Sequence, residues 1–261
     1  MNLYFNTNNP ASKCNWVMDA LQVGWSDTNP VYNRDSIDLV PSHLWGIILN
    51  NKQVIDTLTA NNIDWYFWDM PYYGRWGVSD NYYWRCSKNS YHYSRTKDYP
   101  SDRFNLWNII PKNKPEGSKI LICPSSETMT QIATGLNVKT WVAATIDEVR
   151  KYSDRPIDIR YKPRKNGTSG PAVADVPFEI QARDAHCVIT SVSLCAVEAQ
   201  LMGISTVCHA SSFAADISIS IEEIENCKTA DTAQWFYNLA YSQFTPNEIS
   251  SGAAYRIIND Y

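Results

Sequence analysis

The sequence predicts an α/β protein made of two domains and a helical C-terminal segment, and three observations support this prediction. Strand patterns alternate with helix patterns along most of the chain, which is typical of parallel sheets covered by helices. A chain of 261 residues with 44% hydrophobic residues is long and apolar enough for two small domains. The stretch PKNKPEG, residues 111–117, has the proline, glycine and charge content of a linker. We therefore expect domains over residues 1–112 and 113–230 and a helical segment over 231–261.

The elements of the first domain follow from hydrophobic spacing and residue type. Short runs rich in apolar and aromatic residues predict three strands: MNLYFNT (1–7), SHLWGIIL (42–49) and IDWYFWD (63–69). Apolar residues three and four positions apart predict two helices: SKCNWVMDALQVGW (12–25) and NKQVIDTLTANN (51–62).

The second domain shows the same alternation more clearly. The predicted strands are KILICPS (119–125), RPIDIRYK (155–162), HCVITSVS (186–193) and ISTVCHAS (204–211). The predicted helices are SSETMTQIATG (125–135), TWVAATIDEVRKYS (140–153), DVPFEIQARD (175–184) and SLCAVEAQLMG (193–203). A serine start and Gly135 bound the first of these helices, and the C-terminal helical segment breaks at Thr245-Pro246.

Composition and the missing motifs exclude several classes of protein. A net charge of −4 argues against nucleic-acid binding over the whole surface, so any such contact must be local. The sequence has no G-x-G-x-x-G, P-loop, G-x-S-x-G or H-E-x-x-H motif and no Cys/His cluster, so we expect no bound metal. Seven scattered cysteines, with no signal peptide or long apolar span, predict a cytoplasmic protein that does not enter a membrane.

Basic and aromatic residues are interleaved over residues 72–119, where nine Lys or Arg face four Asp or Glu. Single-stranded or flipped-base nucleic acids are bound by such combinations of stacking rings and cations. The alternative is an irregular, tyrosine-rich layer of loops over a core. On the first reading, the candidate acceptor-binding residues are Tyr72, Tyr73, Arg75, Trp76 and Arg85.

Serine residues open two helices of the second domain directly after strands. Ser125 and Ser126 lie in CPSSE, and Ser191 and Ser193 lie in VITSVSLCAVEA. Helix N-termini that follow parallel strands attract anions, so these hydroxyls suit a phosphate. For Ser125 and Ser126, plain N-capping is an equally good explanation. Glu198 lies inside the apolar helix that follows, where a ligand hydroxyl, solvent or an Arg is its expected partner.

Four cations lie within ten residues in YSDRPIDIRYKPR, residues 152–164. Arg155 precedes the predicted strand, whereas Arg160 and Lys162 share one of its faces. Arg forks and a Lys charge together match a diphosphate, and the alternative is a solvated edge or a set of ion pairs with nearby aspartates.

Asp69 ends the aromatic run IDWYFWD and precedes a turn at Pro71. A carboxylate among aromatic rings is partly desolvated, which raises its pKa and suits a general base. The alternative is an Asp that caps the turn, and Asp19 is the next candidate for the base.

The stretch VITSVSLCAVEAQLMGISTV, residues 188–207, is similar to the TS-x-S-x-x-x-x-EA-x-x-x-G-x-P-V stretch of several GT-B glycosyltransferases. Ser205-Thr206 departs from it where that family commonly has Gly or Ile followed by Pro. The resemblance implies two Rossmann-like domains and a C-terminal helix that crosses back onto the first domain. It also implies a nucleotide-sugar donor, such as UDP-glucose, and a reaction that requires no metal. It also implies that Glu198 binds the donor ribose and that Arg155, Arg160 and Lys162 bind the pyrophosphate.

The layout over most of the chain also resembles phage-encoded DNA glucosyltransferases that modify 5-hydroxymethylcytosine. That resemblance implies a DNA acceptor, Asp69 as the base and action in the host cytoplasm. Two alternatives stay open at this point: a GT-B enzyme that acts on a glycan or lipid-linked acceptor, and a nucleic-acid-binding protein without enzymatic activity.

Overall fold

The computed structural model describes residues 1–5, 14–25, 27–32, 35–74, 82–93, 97–112, 117–162, 176–227 and 230–259. The chain divides into two compact units. The first unit is Met1–Trp107 together with Gln234–Tyr261, and the second is Asn108–Ala233. Each unit has its own sheet, and the structure is α/β with parallel strands, as the sequence predicts.

The first unit contains a six-stranded sheet. Its strands are β1 (Asn2–Tyr4), β2 (Asn29–Pro30), β3 (Ser42–Trp45), β4 (Trp65–Asp69), β5 (Trp84–Lys88) and β10 (Gln243–Phe244). Its helices are α1 (Cys14–Gly24), α2 (Asn51–Ala60), α3 (Asp102–Asn105), α8 (Ala233–Ala240), α9 (Pro246–Ser250) and α10 (Ala253–Asn259). The strand order is β10-β5-β4-β3-β1-β2, in which β2, β1, β3 and β4 pair in parallel and β5 and β10 pair antiparallel.

Aromatic side chains fill both faces of this sheet, because residues alternate between the faces along each strand. Trp68 and Trp84 belong to the core on the side of α1. Phe67 and Leu44 belong to the core on the side of α2. Much of the tryptophan content of the sequence is therefore explained by packing.

The second unit contains a four-stranded, fully parallel sheet. Its strands are β6 (Lys119–Ile122), β7 (Ile157–Ile159), β8 (Ala185–Thr190) and β9 (Ser205–Cys208), in the order β7-β6-β8-β9. Its α-helices are α4 (Glu127–Thr134), α5 (Val138–Val149), α6 (Phe178–Gln181) and α7 (Cys195–Leu201), and two 3₁₀ helices follow at Ala215–Ile217 and Ile221–Asn226. Every strand predicted for this unit is present, and each end lies within three residues of the predicted one.

Local signals in the sequence explain where several helices begin and end. The Ser126 side chain accepts a hydrogen bond from the Met129 amide at the start of α4, and Gly135 ends that helix with a φ of 74°. The predicted break at Thr245-Pro246 is the start of α9, where Thr245 and Glu248 form a capping box.

The close approach of α1 to α9 depends on Gly24. A Cβ atom placed on Gly24 would lie 1.9 Å from the Ile249 carbonyl oxygen, so any side chain there would force the two helices apart. The α9 helix belongs to the C-terminal segment, so this contact ties that segment into the first unit.

Strand β5 corrects one expectation from the sequence. It lies inside the basic aromatic segment, yet Trp84, Arg85, Cys86 and Ser87 are buried, and β5 pairs with both β4 and the distant β10. This part of the segment is therefore interior sheet and not a layer of surface loops. Among the residues that the structure describes, no helix is both long and apolar enough to cross a membrane.

Candidate functional site

The second sheet reverses its strand order between β6 and β8, because β7 lies on the far side of β6. In open parallel sheets, such a reversal leaves a crevice at the carboxyl ends of the two central strands, where ligands bind. Ser125 follows β6 and Ser191 follows β8, and the two loops are joined there. The Ser125 amide donates to Ser191 Oγ at 3.4 Å, and the Val192 amide donates to Ser125 Oγ at 3.2 Å.

The predicted serines have different roles at this crevice. Ser126 caps α4, because its Oγ accepts a hydrogen bond from the Met129 amide at 3.3 Å. The Oγ of Ser193 accepts a hydrogen bond from the Cys195 amide at 3.2 Å. Both are partly exposed. Ser191 is fully buried and contacts Thr130 as well as Ser125, so it holds the loops together and is not placed to meet a ligand, contrary to the prediction.

Arg160 lies at the same carboxyl edge, immediately after β7. Its Nη1 donates to the Val176 carbonyl at 2.8 Å and to Gln181 Oε1 at 2.7 Å. The guanidinium carbon lies 5.8 Å from the centre of the Phe178 ring. These contacts orient Arg160 against α6, a short helix whose partnership with Arg160 could not be inferred from the sequence.

Two cysteines at this edge, Cys123 and Cys195, interact with each other and feel the charges of Arg160 and Glu198. The Cys123 thiol donates a hydrogen bond to Cys195, which raises the pKa of Cys123 well above its usual value and lowers that of Cys195. Burial also raises the pKa of Cys123. The charges of Arg160 and Glu198 act on both thiols, so the four side chains are electrostatic neighbours. Cys123 belongs to the core of the second unit and Cys195 packs against that core, so this edge of the site is held by buried side chains.

The structure places Arg155 and Arg160 at opposite ends of β7, so Arg155 does not act together with Arg160 and Lys162 as predicted. The fourth cation, Arg164, lies outside the described residues. Arg155 precedes β7, and its Nε donates to both Glu225 oxygens at 3.2 and 3.0 Å. At about 3.3 Å per residue, Arg155 lies roughly 16 Å along the chain from Arg160, at the amino edge of the sheet. A cavity of about 540 Å³ at this edge is lined by residues 150–155 and Glu225. Lys162, by contrast, is exposed and follows Arg160 by two residues.

In the first unit, Asp69 ends β4 at the carboxyl edge of the sheet and pairs across the strands with Arg85. Arg85 Nη2 lies 2.9 Å from Asp69 Oδ2, and the Met70 amide donates to Asp69 Oδ1 at 2.7 Å. The Asp69 side chain is 35% exposed, whereas that of Arg85 is 6% exposed. The sequence predicted an Asp69 surrounded by aromatic rings, and the structure gives it a buried cation as its partner.

Arg85 is held by further contacts in the interior. Its Nη1 donates to the Tyr91 carbonyl at 3.0 Å and lies 2.5 Å from His92 Nδ1. Burial, followed by the charge of Arg85, lowers the pKa of His92 well below its usual value, so His92 stays neutral beside the guanidinium. Arg85 was predicted to contact the acceptor, and this prediction is wrong because the side chain is buried.

The two predicted stacking tyrosines are also interior residues. Tyr72 is buried, and its hydroxyl accepts from the Tyr93 amide at 2.6 Å. Tyr73 is buried, and its hydroxyl donates to the Phe236 carbonyl at 3.1 Å. Neither ring is available to an acceptor, so these two predictions are also wrong. The remaining two candidates, Arg75 and Trp76, lie outside the described residues.

Most described cations of the basic segment have carboxylate partners, which lowers the net charge that this segment presents. These ion pairs are Arg85–Asp69, Lys88–Asp64, Arg103–Glu248 and Lys119–Asp158. Paired cations contribute little to the release of counterions from phosphates. Within the described ranges, no group of three or more His, Cys, Asp or Glu side chains is arranged to hold a metal ion.

The α/β fold of this chain is similar to the folds of solved structures. Two solved structures from Thermosulfurimonas dismutans KpsC are similar to this chain. The beta Kdo 2,7 transferase has a TM-score of 0.55 and 11% sequence identity, and the match covers 99% of this chain and 98% of that chain. The beta Kdo 2,4 transferase has a TM-score of 0.56 and 10% identity, with the same coverage of 99% and 98%.

No protein-family profile matches the sequence, and no curated protein matches it. The likeness to the two solved structures is therefore a likeness of fold. It agrees with a glycosyltransferase-like fold, but it does not extend to a GT-B arrangement of two domains or to the resemblance to phage DNA glucosyltransferases.

Proposed function

We propose that this protein is a glycosyltransferase that moves a sugar from a nucleotide-sugar donor to a hydroxyl group of a glycan. One observation carries the donor half of the proposal. Arg160, Glu198, the Ser126-capped start of α4 and Ser193, which precedes α7, lie at the carboxyl edge of a parallel sheet whose strand order reverses there. A cation, a carboxylate and helix N-termini are the groups that bind a phosphate and a ribose.

Each residue has a distinct role in this proposal. Arg160 and Lys162 bind donor phosphate oxygens, and Ser126 and Ser193 border the phosphate at the helix starts. Glu198 accepts from a ribose hydroxyl. Ser125 and Ser191 join the two loops, so they shape the site. Arg155 has no part in the donor site.

Asp69 is the proposed general base in the first unit. Its two oxygens accept from Met70 and Arg85, but each carboxylate oxygen has two acceptor positions, so one position on each oxygen is left for an acceptor hydroxyl. As the glycosidic bond forms, the acceptor hydroxyl must lose its proton, and a partly exposed carboxylate at a sheet edge can take it.

A glycan acceptor is better supported than hydroxymethylated DNA. Three of the five predicted DNA contacts, Tyr72, Tyr73 and Arg85, are buried. The other two, Arg75 and Trp76, lie outside the described residues. The proteins of similar fold are named as Kdo transferases, so their names refer to sugar transfer and not to DNA. The lipid-linked form of a glycan acceptor is compatible with the same site.

A donor screen followed by a transfer assay tests the proposal. Calorimetry with a panel of nucleotide mono- and diphosphate sugars should find a donor that binds wild type, and Glu198→Gln should bind that donor about tenfold more weakly. Mass analysis should then detect transfer to an oligosaccharide and not to hydroxymethylated DNA. A wild-type protein that binds no nucleotide sugar would refute the proposed function.

A further inference from the structure

Among the tryptophans that the structure describes in the first unit, Trp16 is the one with an exposed side chain. Trp25, Trp65, Trp68 and Trp84 are at most 4% exposed, whereas Trp16 is 45% exposed. It lies in the first turn of α1, and its ring centroid is 5.4 Å from that of Tyr82, with 43° between the ring planes. A large exposed ring in contact with a second ring is a common feature of ligand-binding surfaces.

This pair rests on a row of rings that are buried or partly buried. Tyr82 stacks on Trp84 with 6.2 Å between centroids and 26° between planes. Trp84 in turn contacts Trp45 at 5.2 Å, and Trp45 contacts Phe5 at 6.2 Å. Because the inner rings are packed in the core, the outer pair is held in place before any ligand arrives, which lowers the entropic cost of binding.

The row of rings lies at the carboxyl edge of the first sheet. Phe5 directly follows β1 and Trp45 ends β3, and the strand order reverses between these two strands. Because β5 is antiparallel to β4, Trp84 at the start of β5 lies at the end of β4, where Asp69 pairs with Arg85. The exposed pair therefore occupies the edge at which sheets of this type bind ligands and at which Asp69 is located.

Charges near the pair favour a sugar over a nucleic acid. Asp19 is exposed on α1 three residues after Trp16, so the two side chains are neighbours on the helix surface. The described helix contains no basic residue, so Asp19 is the charged side chain that α1 presents beside Trp16. Carboxylates accept hydrogen bonds from sugar hydroxyls, whereas they repel the phosphates of a nucleic acid.

We propose that Trp16 and Tyr82 form a stacking platform for a sugar ring of the glycan acceptor. This inference rests on the proposed function and adds to it the residues that select the acceptor. The apolar face of a pyranose ring lies against the two aromatic rings, and its hydroxyls are directed toward Asp19 and the end of β4. The acceptor chain is thereby placed at the sheet edge where Asp69 can take a proton.

Glycan binding by full-length variants tests the platform. Wild type, Trp16→Ala, Trp16→Phe and Tyr82→Ala are compared on immobilised oligosaccharides that end in hexoses or in Kdo. Tyr32→Ala is the matched control, because Tyr32 is a 75% exposed aromatic residue of the same unit beside the edge strand β2. Thermal unfolding confirms that each variant is folded, and calorimetry with nucleotide sugars measures donor binding separately.

We expect Trp16→Ala and Tyr82→Ala to bind the oligosaccharide about tenfold more weakly, Trp16→Phe to lose less, and Tyr32→Ala to equal wild type. Donor binding should be unchanged in all four variants. Glycan affinity of Trp16→Ala within about threefold of wild type would overturn the platform. So would a wild type that binds no oligosaccharide, or one that binds hydroxymethylated single-stranded DNA more tightly. Glycan binding through Trp16 without any donor binding would uphold the platform and overturn the proposed function.

Discussion

The substitution Asp69→Asn tests the ion pair at the end of β4. Asn keeps an oxygen for the Met70 amide, but Arg85 loses the charge that balances it in the interior. Removing one partner of a fully buried ion pair costs about 3–5 kcal/mol. Since Asp69 is 35% exposed, solvent offsets part of this cost, and we expect the free energy of unfolding to fall by about 2 kcal/mol.

Urea unfolding measures this loss, and the chain supplies a matched control. Asp64 lies 2.9 Å from Lys88, but these side chains are 43% and 28% exposed, so Asp64→Asn should change the free energy of unfolding by no more than about 0.5 kcal/mol. Equal losses in the two variants would refute the argument that burial of Arg85 sets the size of the effect. A loss below about 0.5 kcal/mol in Asp69→Asn would refute it as well.

Three further predictions concern rates, acid stability and thiol reactivity. At temperatures where both proteins are folded, Asp69→Asn should lower the transfer rate roughly 10²–10⁴-fold, and a rate within about threefold of wild type would exclude Asp69 as the base. Burial, with a smaller effect of the N-terminal charge, lowers the pKa of His43 to about 3. Because the unfolded chain then binds an extra proton between about pH 6.5 and 3, stability should fall as the pH drops through this window, by up to about 1.4 kcal/mol per unit. Urea unfolding at several pH values should show a smaller slope for His43→Gln, and an unchanged slope would contradict this reasoning. The hydrogen bond from Cys123 lowers the pKa of Cys195, so Cys195 should react with iodoacetamide at a lower pH than an ordinary thiol. The substitution Cys123→Ser should change this pH dependence. Mass spectrometry of the labelled peptide checks both results.

The sequence predicted the regular parts of the fold well because local signals specified them. Ser126, Gly135 and Thr245 mark helix ends through hydrogen bonds and backbone angles that involve only neighbouring residues. The parallel strands were visible as short apolar runs. Strands β5 and β10 were missed because they pair with each other across a sequence separation of more than 150 residues, which no local pattern reveals.

The candidate site was predicted only in part, for a related reason. Residue types that suit a ligand were found, but their partners were not. Arg155 and Arg160 are close in sequence, yet a strand between them carries them to opposite ends of the sheet. Arg85 is a basic residue in a polar segment, so the sequence predicted a surface position, whereas its ion pair with Asp69 allows it to be buried. The sequence did not predict a ligand-binding role for Trp16, because an isolated tryptophan in a helix pattern is usually a core residue.

Paired substitutions on either side of β7 test whether the donor site lies at the carboxyl edge of the second sheet. Arg160→Gln keeps a side-chain amide that can donate to Val176 but removes the charge, and Arg155→Gln makes the same change at the opposite edge. Calorimetry with the donor identified by the screen should show about tenfold to hundredfold weaker binding for Arg160→Gln, the range for a charged hydrogen bond, and wild-type binding for Arg155→Gln. Equal affinity of the two variants, or a loss confined to Arg155→Gln, would contradict this location of the donor site.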